Sequence, residues 1–202
     1  MSAQQHILLV VEDPLSEFIA RRLLRFVGGR LIPSAVYGKE GIGYIKRNIS
    51  GFNKAAKGTP TLIVADLDSD ECAPERIRSL LTAPRHPNLL LRIAVREVES
   101  WLLADRGGFA KFIGTNATRI PTAVEDIVDP KQFLINVARR SRRKSVLEDI
   151  VPLAGSTAKV GRNYNGRLHQ FVFEKWNIET ARANSRSLDS AIRALKDFVP
   201  TF

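Results

Sequence analysis

Three apolar runs of valine, isoleucine and leucine along this chain each end in acidic residues. The runs occupy residues 7–11, 62–65 and 89–95, and the first two are followed directly by Glu12 and Asp66. Short apolar runs bounded by polar residues are typical of strands buried in a parallel sheet. The pattern therefore predicts parallel strands with carboxylates at their carboxyl ends.

Segments with helical spacing of apolar residues separate these strands. Asp13 and Pro14 are suited to the start of the first helix, and a pair of glycines after residue 27 is suited to its end. A weaker strand contains Pro33, which favours an edge position in the sheet. The first half is thus predicted to contain strands at 6–11, 30–37, 61–65 and 89–95, with helices at 14–27, 38–53, 74–81 and 97–104.

The second half is predicted to be mostly helical. Residues 115–129 form an expected long loop, and further helices are predicted at 109–113, 130–143, 168–176, 177–183 and 187–198. The expected fold class is α/β, with a mainly parallel central sheet flanked by helices and a helical C-terminal extension. We expect a division into an α/β domain of residues 1–114 and a helical part of residues 115–202 packed on it.

The acidic residues after the strands indicate a metal site. Asp66, Asp68 and Asp70 alternate, and in extended backbone residues two apart project to the same side. In parallel sheets ligands bind outside the carboxyl ends of the strands, where Glu12 is also expected. Carboxylates gathered there repel one another unless a cation or proton neutralises them, and hard cations prefer oxygen ligands. The alternative is an ordinary aspartate-rich turn.

Composition narrows the functional classes. A chain of 202 residues that is 44% hydrophobic has enough apolar material for a folded core, which excludes global disorder. It has no run of about 18 apolar residues, so no membrane span is expected. It lacks the basic start and apolar core of a signal peptide, and its single cysteine, Cys72, cannot form an internal disulfide. These features favour a cytoplasmic protein.

The charge of the chain favours a polyanionic partner. Lysine and arginine number 31 against 21 aspartate and glutamate, for a net charge of +10. Basic proteins of this kind attract nucleic acid, although basicity also serves solubility alone. The strongest basic run and a later polar segment supply the candidate phosphate-binding residues, which are Arg139, Arg140, Arg142, Arg143, Lys144, Lys159 and Arg162.

The opening residues resemble the receiver domain of response regulators. The run Leu8-Leu9-Val10-Val11-Glu12-Asp13-Pro14 is similar to the receiver's first strand and its magnesium-binding acids, and Asp66 would be the phosphoryl acceptor. Receivers have a small hydroxyl residue after strand four, where this chain has Arg96 and Glu97. They also have a lysine after a fifth strand, which is not expected here. This resemblance covers about a third of the chain.

A resemblance to the TOPRIM fold of topoisomerases, primases and OLD-type nucleases covers more of it. That family has a glutamate after strand one and Asp-x-Asp after strand three, which Glu12 and the Asp66/Asp68 pair match. The chain looks most like a bacterial TOPRIM-like family often encoded beside SMC/ABC-type ATPases in phage-defence loci. The family typically has glycine after the first glutamate, where this chain has Asp13. The further matching segments are residues 16–17, 99–105, 176 and 181–188.

The TOPRIM resemblance implies a nuclease that depends on Mg²⁺ or Mn²⁺ and works with an ATPase partner on nucleic acid, DNA in particular. Asp66 and Asp68 would hold the cation, with Asp70 and Glu99 as additional ligands. Glu12 would be a ligand or the general base. A non-catalytic TOPRIM-like subunit of an ATPase complex and, at lower weight, a receiver remain alternatives. The oligomeric state stays open at this point.

Overall fold

The computed structural model describes residues 4–202, which fall into two compact units. The first unit combines the chain up to Val95 with Ser187–Phe202, and the second consists of Arg96–Arg186. The C-terminal segment thus belongs with the first half of the chain. The boundaries of these units differ from the predicted division after residue 114.

The first unit is built on a four-stranded parallel sheet in the order β2-β1-β3-β4. The predicted α/β fold class with a parallel sheet is confirmed, and β2, which contains Pro33, lies at an edge as expected. β1, β3 and β4 are neighbours, so the carboxyl ends of these three strands lie side by side. The strands are β1 Gln5–Val11, β2 Leu31–Gly38, β3 Thr61–Asp66 and β4 Leu89–Ala94.

Helices account for most of the remaining regular structure. In chain order they are α1 Pro14–Phe26, α2 Ile42–Ala55, α3 Ala73–Leu80, α4 Val98–Leu103, α5 Arg106–Ile113, α6 Pro130–Ala138, α7 Lys144–Ile150, α8 Tyr164–Gln170, α9 Ile178–Asn184 and α10 Arg186–Asp197. None of the helices in residues 4–202 is long and apolar enough to cross a membrane.

The core of the first unit is formed where α2 and α3 cover one face of the sheet. Ile45 and Ile49 of α2 pack with Val10, Ile63 and Leu91 of three neighbouring strands, and all are almost fully buried. The β1–α1–β2 and β2–α2–β3 connections run in opposite directions along the sheet, so right-handed crossovers place α1 on the opposite face. Burial on both faces explains why the central strands are apolar without interruption.

The C-terminal segment is tied to the first unit by polar contacts. Arg30 donates a hydrogen bond to the carbonyl of Lys196 at 2.7 Å, at the end of α10. Asn88 donates to the carbonyl of Thr201 at 2.7 Å and accepts from its N–H at 2.8 Å. Arginine satisfies the unpaired carbonyls of a helix C-terminus and complements its dipole. Residues distant in sequence thereby complete the sheet domain.

The second unit is helical and has an aromatic core. Phe171 lies 5.1 Å, ring centroid to ring centroid, from Phe109 and 5.2 Å from Phe112. After α8 the chain makes a π-helical turn over Phe171–Lys175, closed by a bond from the Trp176 N–H to the Phe171 carbonyl. The wider turn keeps both Phe171 and Trp176 in the buried core.

The helix predicted over residues 130–143 ends early. α6 stops at Ala138, and a new helix begins at Lys144. Between them Ser141 donates from its hydroxyl to the carbonyl of Ile113, at the C-terminal end of α5. Serine competes well for local backbone carbonyls, which favours such a break. The basic run that was expected on a helix therefore lies largely in an irregular connection.

Candidate functional site

Glu12 lies directly after β1, in a backbone held by the turn that follows β2. The carbonyl of Glu12 accepts from the Gly41 N–H, and that of Val11 accepts from the Lys39 N–H, both at 2.9 Å. Gly38 makes this approach possible, because a Cβ there would lie 2.1 Å from the Val11 oxygen and its φ is +97°. The end of β1 and the turn after β2 are thus held together by hydrogen bonds at Glu12.

Glu12 and Asp66 are brought together at the ends of β1 and β3. Val11 pairs in register with Val64, so Glu12 lies just beyond the paired part of β1, and Asp66 is the last residue of β3, where it pairs with Ala94 of β4. Glu12 accepts a hydrogen bond from the Asp66 N–H at 2.7 Å, and the residues are 8% and 6% exposed. The predicted adjacency of these two acidic positions is therefore present in the structure.

The Glu12 carboxyl is in an environment that disfavours its charge. Burial raises its pKa from 4.5 to about 7, opposed by the hydrogen bond from the Asp66 N–H. The charge of Asp68 raises the pKa further, whereas the charge of Arg76 lowers it. A carboxyl with a pKa near neutrality can both accept and release a proton at physiological pH. Perturbed pKa values of this kind cluster at functional sites, although buried structural carboxyls also show them.

Asp68 and Asp70 are held by a buried arginine. Arg76, on α3, donates to Asp68 at 2.9 Å and to Asp70 at 2.7 Å, and it is only 5% exposed. Its Nε has no hydrogen-bond partner within residues 4–202. Planar guanidinium groups are well suited to holding two carboxylates at once. Arg76 therefore supplies positive charge inside the acidic cluster, a role that sequence reasoning had assigned to a metal ion.

The expected alternation of Asp66, Asp68 and Asp70 in extended backbone is not observed. β3 ends at Asp66, and Asp68 has a φ of +52°, in the left-handed region. The Asp70 N–H then donates to the carbonyl of Leu67 at 3.1 Å, which closes a turn. Aspartate tolerates this conformation and favours turns. The turn directs Asp68 and Asp70 to Arg76 instead of leaving all three carboxylates on one side.

The donor chemistry fits a divalent cation in part. Glu12 and Asp66 are neighbouring acidic residues, joined by the bond from the Asp66 N–H to the Glu12 carboxyl, and carboxylate oxygens are the ligands that Mg²⁺ and Mn²⁺ prefer. Asp68 and Asp70 each have an oxygen bonded to Arg76. Within residues 4–202 no group of three or more His, Cys, Asp or Glu side chains is arranged to hold a metal ion. The first pair thus fits the cation, whereas the full predicted ligand set is not assembled in this arrangement.

Two further acids near the first strand have structural partners. Asp13 caps α1, because its Oδ1 accepts from the N–H and the hydroxyl of Ser16 at 2.7 and 2.8 Å. Glu17 forms ion pairs with Lys39 at 2.6 Å and Arg21 at 2.8 Å. Burial raises the pKa of Glu17, but these two cations outweigh it and the pKa lies below its ordinary value. Both residues stabilise the helix that follows Glu12.

Glu99, predicted as an additional metal ligand, belongs to the second unit and is fully buried. It accepts a hydrogen bond from the Tyr164 hydroxyl at 2.9 Å, and Lys131 lies 3.5 Å from the same oxygen. Glu97 caps the start of α6 by accepting from the Lys131 N–H at 2.8 Å. Neither Lys131 nor Tyr164 was expected from the sequence, since each lies more than 30 residues from its partner glutamate.

The predicted nucleic-acid-binding residues are distributed over three cavities of the second unit. Arg140 and Arg142 line a cavity of about 680 Å³, and Arg139 and Lys159 line another of about 690 Å³. Arg143 lines a third, of about 460 Å³. The side chains of residues 139–143 line different cavities because this basic run lies in the irregular connection after α6.

Three of the predicted cations have local partners. Arg143 donates to the carbonyl of Phe112 at 2.7 Å, which satisfies the C-terminal end of α5. Lys144 and Arg162 both lie near Glu148, at 3.8 and 3.5 Å, and are highly exposed. Exposed pairs of this kind contribute little to stability. These two side chains can exchange Glu148 for another anion at small cost.

Comparisons with protein-family models, with curated proteins and with solved structures find no match for this chain. The resemblance to the TOPRIM family therefore stays a prediction from the residues named in the sequence. The sheet contains four strands in residues 4–202, so the lysine that a receiver places after a fifth strand has no counterpart there. The candidate site rests on its own geometry.

Proposed function

We propose that this protein is a divalent-cation-dependent phosphodiesterase that acts on nucleic acid. The observation that carries the proposal is the buried Glu12–Asp66 pair at the ends of two neighbouring parallel strands. Its position outside the carboxyl ends of the strands is where open α/β sheets bind ligands. The raised pKa of Glu12, about 7, supports a role in proton transfer.

In this proposal Glu12 accepts the proton of the attacking water, and the Asp66 N–H keeps its carboxylate oriented. Asp66 would hold the Mg²⁺ or Mn²⁺ ion, which would polarise the phosphate and stabilise developing negative charge, and the alternative role of Glu12 is that of a second ligand to this ion. Arg76 holds Asp68 and Asp70 in place beside them.

The wider setting of the activity is proposed from the resemblance described above. It favours DNA as the substrate, a cytoplasmic location, an SMC/ABC-type ATPase as partner and a role in bacterial phage defence. The net charge of +10 supports a polyanionic substrate independently of that resemblance. Cations that line a cavity of the second unit without acidic residues in its lining are the groups available to hold its backbone.

The test combines cleavage with cation binding. Labelled DNA and RNA are incubated with the protein in Mg²⁺ or Mn²⁺, and the Glu12→Gln and Asp66→Asn variants are compared with Glu75→Gln, an exposed glutamate on α3. Calorimetric titration of Mn²⁺ into the same proteins gives a readout that does not depend on turnover. We expect both site variants to lose cleavage and to weaken cation binding, while the control keeps both. Cleavage unchanged in both site variants would exclude this assignment.

A second candidate function is favoured by the bonds of Arg76. Because Arg76 already supplies a cation to Asp68 and Asp70, the cluster is internally balanced in part. In a non-catalytic subunit that binds nucleic acid or an ATPase partner, the acidic cluster would need no metal ion beyond the charge of Arg76. It predicts oligonucleotide binding in EDTA, no cleavage at millimolar Mg²⁺ or Mn²⁺, and no heat of cation binding to the wild type. That combination of results would favour the second candidate over the first.

A further inference from the structure

We infer that the second unit contains a dedicated phosphate-binding cleft for a nucleic-acid strand, formed by Lys111, Arg119, Arg140 and Arg142. These side chains line one cavity of about 680 Å³. The inference rests on the proposed function for its substrate, because it identifies where the backbone of that substrate binds. Lys111 and Arg119 were not among the residues predicted from the sequence.

The charge of the cleft is unbalanced. No aspartate or glutamate is among the residues that line it. Within residues 4–202 none of the four cationic side chains forms a hydrogen bond or an ion pair, in contrast to Arg143, Lys144 and Arg162. Four cations around one concavity repel one another, and a bound polyanion removes this repulsion. An anionic ligand is therefore the chemical class that the cleft fits.

The two segments that carry these cations are fixed to each other. Ser141 donates to the carbonyl of Ile113, and the Arg142 N–H donates to that of Gly114 at 3.4 Å. Gly114 ends α5 in a left-handed conformation with a φ of +74°, and a Cβ there would lie 3.0 Å from the Arg143 side chain. The backbone below the cleft is thus preorganised, which lowers the cost of binding.

The loop that carries Arg119 is held as well. Arg106, in the first turn of α5, donates from its Nε to the carbonyl of Ile120 at 2.8 Å. Asn116 accepts from the N–H and the hydroxyl of Thr118, which closes the turn before Arg119. Arg119 itself is exposed. Arg119 is thus an exposed cationic side chain on a fixed backbone. This arrangement suits contacts to backbone phosphates, which do not depend on the sequence of the strand.

The size and composition of the cleft favour a strand over a small anion. About 680 Å³ lies within the range of sites for molecules of nucleotide size. Three arginines and one lysine around that volume can contact several phosphates, whereas an inorganic phosphate has room for only two or three of them. Thr115 and Asn116 add neutral hydrogen-bonding groups to the lining. We therefore assign the cleft to successive backbone phosphates.

The neighbouring cavity provides a matched control. Arg139 lines a cavity of nearly the same size, about 690 Å³, but that lining includes Glu97 and Asp129. Arg139 and Arg140 are adjacent in sequence and both are exposed. Replacing either one removes the same charge from the same run of residues. A non-specific effect of net charge would weaken binding equally in both variants, whereas the cleft predicts a difference.

The experiment measures binding of a fluorescently labelled 15-nucleotide DNA strand by anisotropy, in EDTA so that cleavage plays no part. The proteins are the wild type, Arg119→Gln, Arg140→Gln, Arg142→Gln, their triple combination and Arg139→Gln. We expect each cleft variant to weaken binding roughly threefold to tenfold, and Arg139→Gln less than twofold. The dependence of log K on log salt should become shallower by about 2 in the triple variant. Thermal unfolding checks that each variant is folded.

Competition distinguishes the possible sources of the phosphate. Unlabelled strand is expected to displace the labelled strand at micromolar concentration, and ATP, pyrophosphate or inorganic phosphate only at millimolar concentration. Displacement by micromolar ATP would assign the cleft to a nucleotide and overturn the inference. Equal affinities and salt slopes for the triple variant and the wild type, or an equal loss in Arg139→Gln, would also overturn it. Strand binding is measured in EDTA, whereas the acidic site is tested by cleavage and Mn²⁺ titration, so failure of the cleft is distinguishable from failure of the acidic site.

Discussion

Replacement of Glu12 by glutamine should stabilise the protein at alkaline pH. The glutamine keeps an oxygen that accepts from the Asp66 N–H, but it removes a charge that burial disfavours. A rise in pKa from 4.5 to about 7 corresponds to a penalty of about 3 kcal/mol on the ionised form. The residue is 8% exposed, so solvent screening reduces this value little.

The sign of the pH dependence follows from linkage. Because the pKa of Glu12 is raised in the folded protein, the folded state binds more protons than the unfolded state between pH 4.5 and about 7. The stability contributed by the protonated carboxyl is complete below pH 4.5 and is lost as the pH rises through about 7. The difference between variant and wild type should therefore grow across this window and become constant above it.

The assay is urea unfolding of both proteins from pH 4 to pH 9 in EDTA, followed by circular dichroism. Both tryptophans, Trp101 and Trp176, lie in the second unit, so their fluorescence reports that unit alone. If the two units unfold separately, the stabilisation should appear in the circular dichroism transition and be absent from the fluorescence transition. Glu75→Gln, on the exposed surface of α3, is the control and should change stability by less than about 0.5 kcal/mol.

A glutamine variant that is no more stable than the wild type at pH 8 would refute the assignment of a buried, charge-disfavouring site. So would a difference that stays constant from pH 4 to pH 9. Addition of millimolar Mg²⁺ extends the measurement, because a cation that binds only the folded state stabilises it. The wild type should gain stability and the glutamine variant should gain less, which connects the stability result to the proposed function.

Three further substitutions, one of them with a matched control, test the surroundings of the two acidic sites. Arg76→Met should destabilise the protein by about 1–2 kcal/mol at pH 7 in chemical unfolding, because its two partly exposed aspartate partners lose their cation. Gly38→Ala should lower the free energy of unfolding by more than about 2 kcal/mol in the same assay, since its Cβ would lie 2.1 Å from the carbonyl oxygen of Val11. The control is Gly51→Ala in α2, which has open space around it and should be neutral or stabilising by up to about 1 kcal/mol. Tyr164→Phe should lower stability by about 1–3 kcal/mol, because it removes a hydrogen bond to the fully buried Glu99, and fluorescence unfolding measures this loss in the second unit. An unchanged midpoint for Tyr164→Phe would show that this hydrogen bond contributes nothing.

The sequence by itself determined the parallel sheet and the place of Glu12 and Asp66 in it. Apolar runs without alternation indicate burial on both faces, which is the usual state of strands in a parallel sheet covered by helices. Pro33 was informative for the same local reason, since proline has no N–H to donate to a neighbouring strand and is therefore confined to edge strands. Each of these inferences depends on residues close together in the chain, whose periodicity reports directly on their surroundings.

Only the tertiary structure decided how the charged side chains are paired. The left-handed turn at Asp68 and the position of α3 bring Arg76 to the two aspartates. The break after Ala138 distributes the basic run over different cavities and brings Arg140 and Arg142 to Lys111 and Arg119. No periodic signal marks these contacts, because a surface arginine and a buried one have the same sequence context. Long-range packing sets which charges meet, and the chemistry of both candidate sites follows from those pairings.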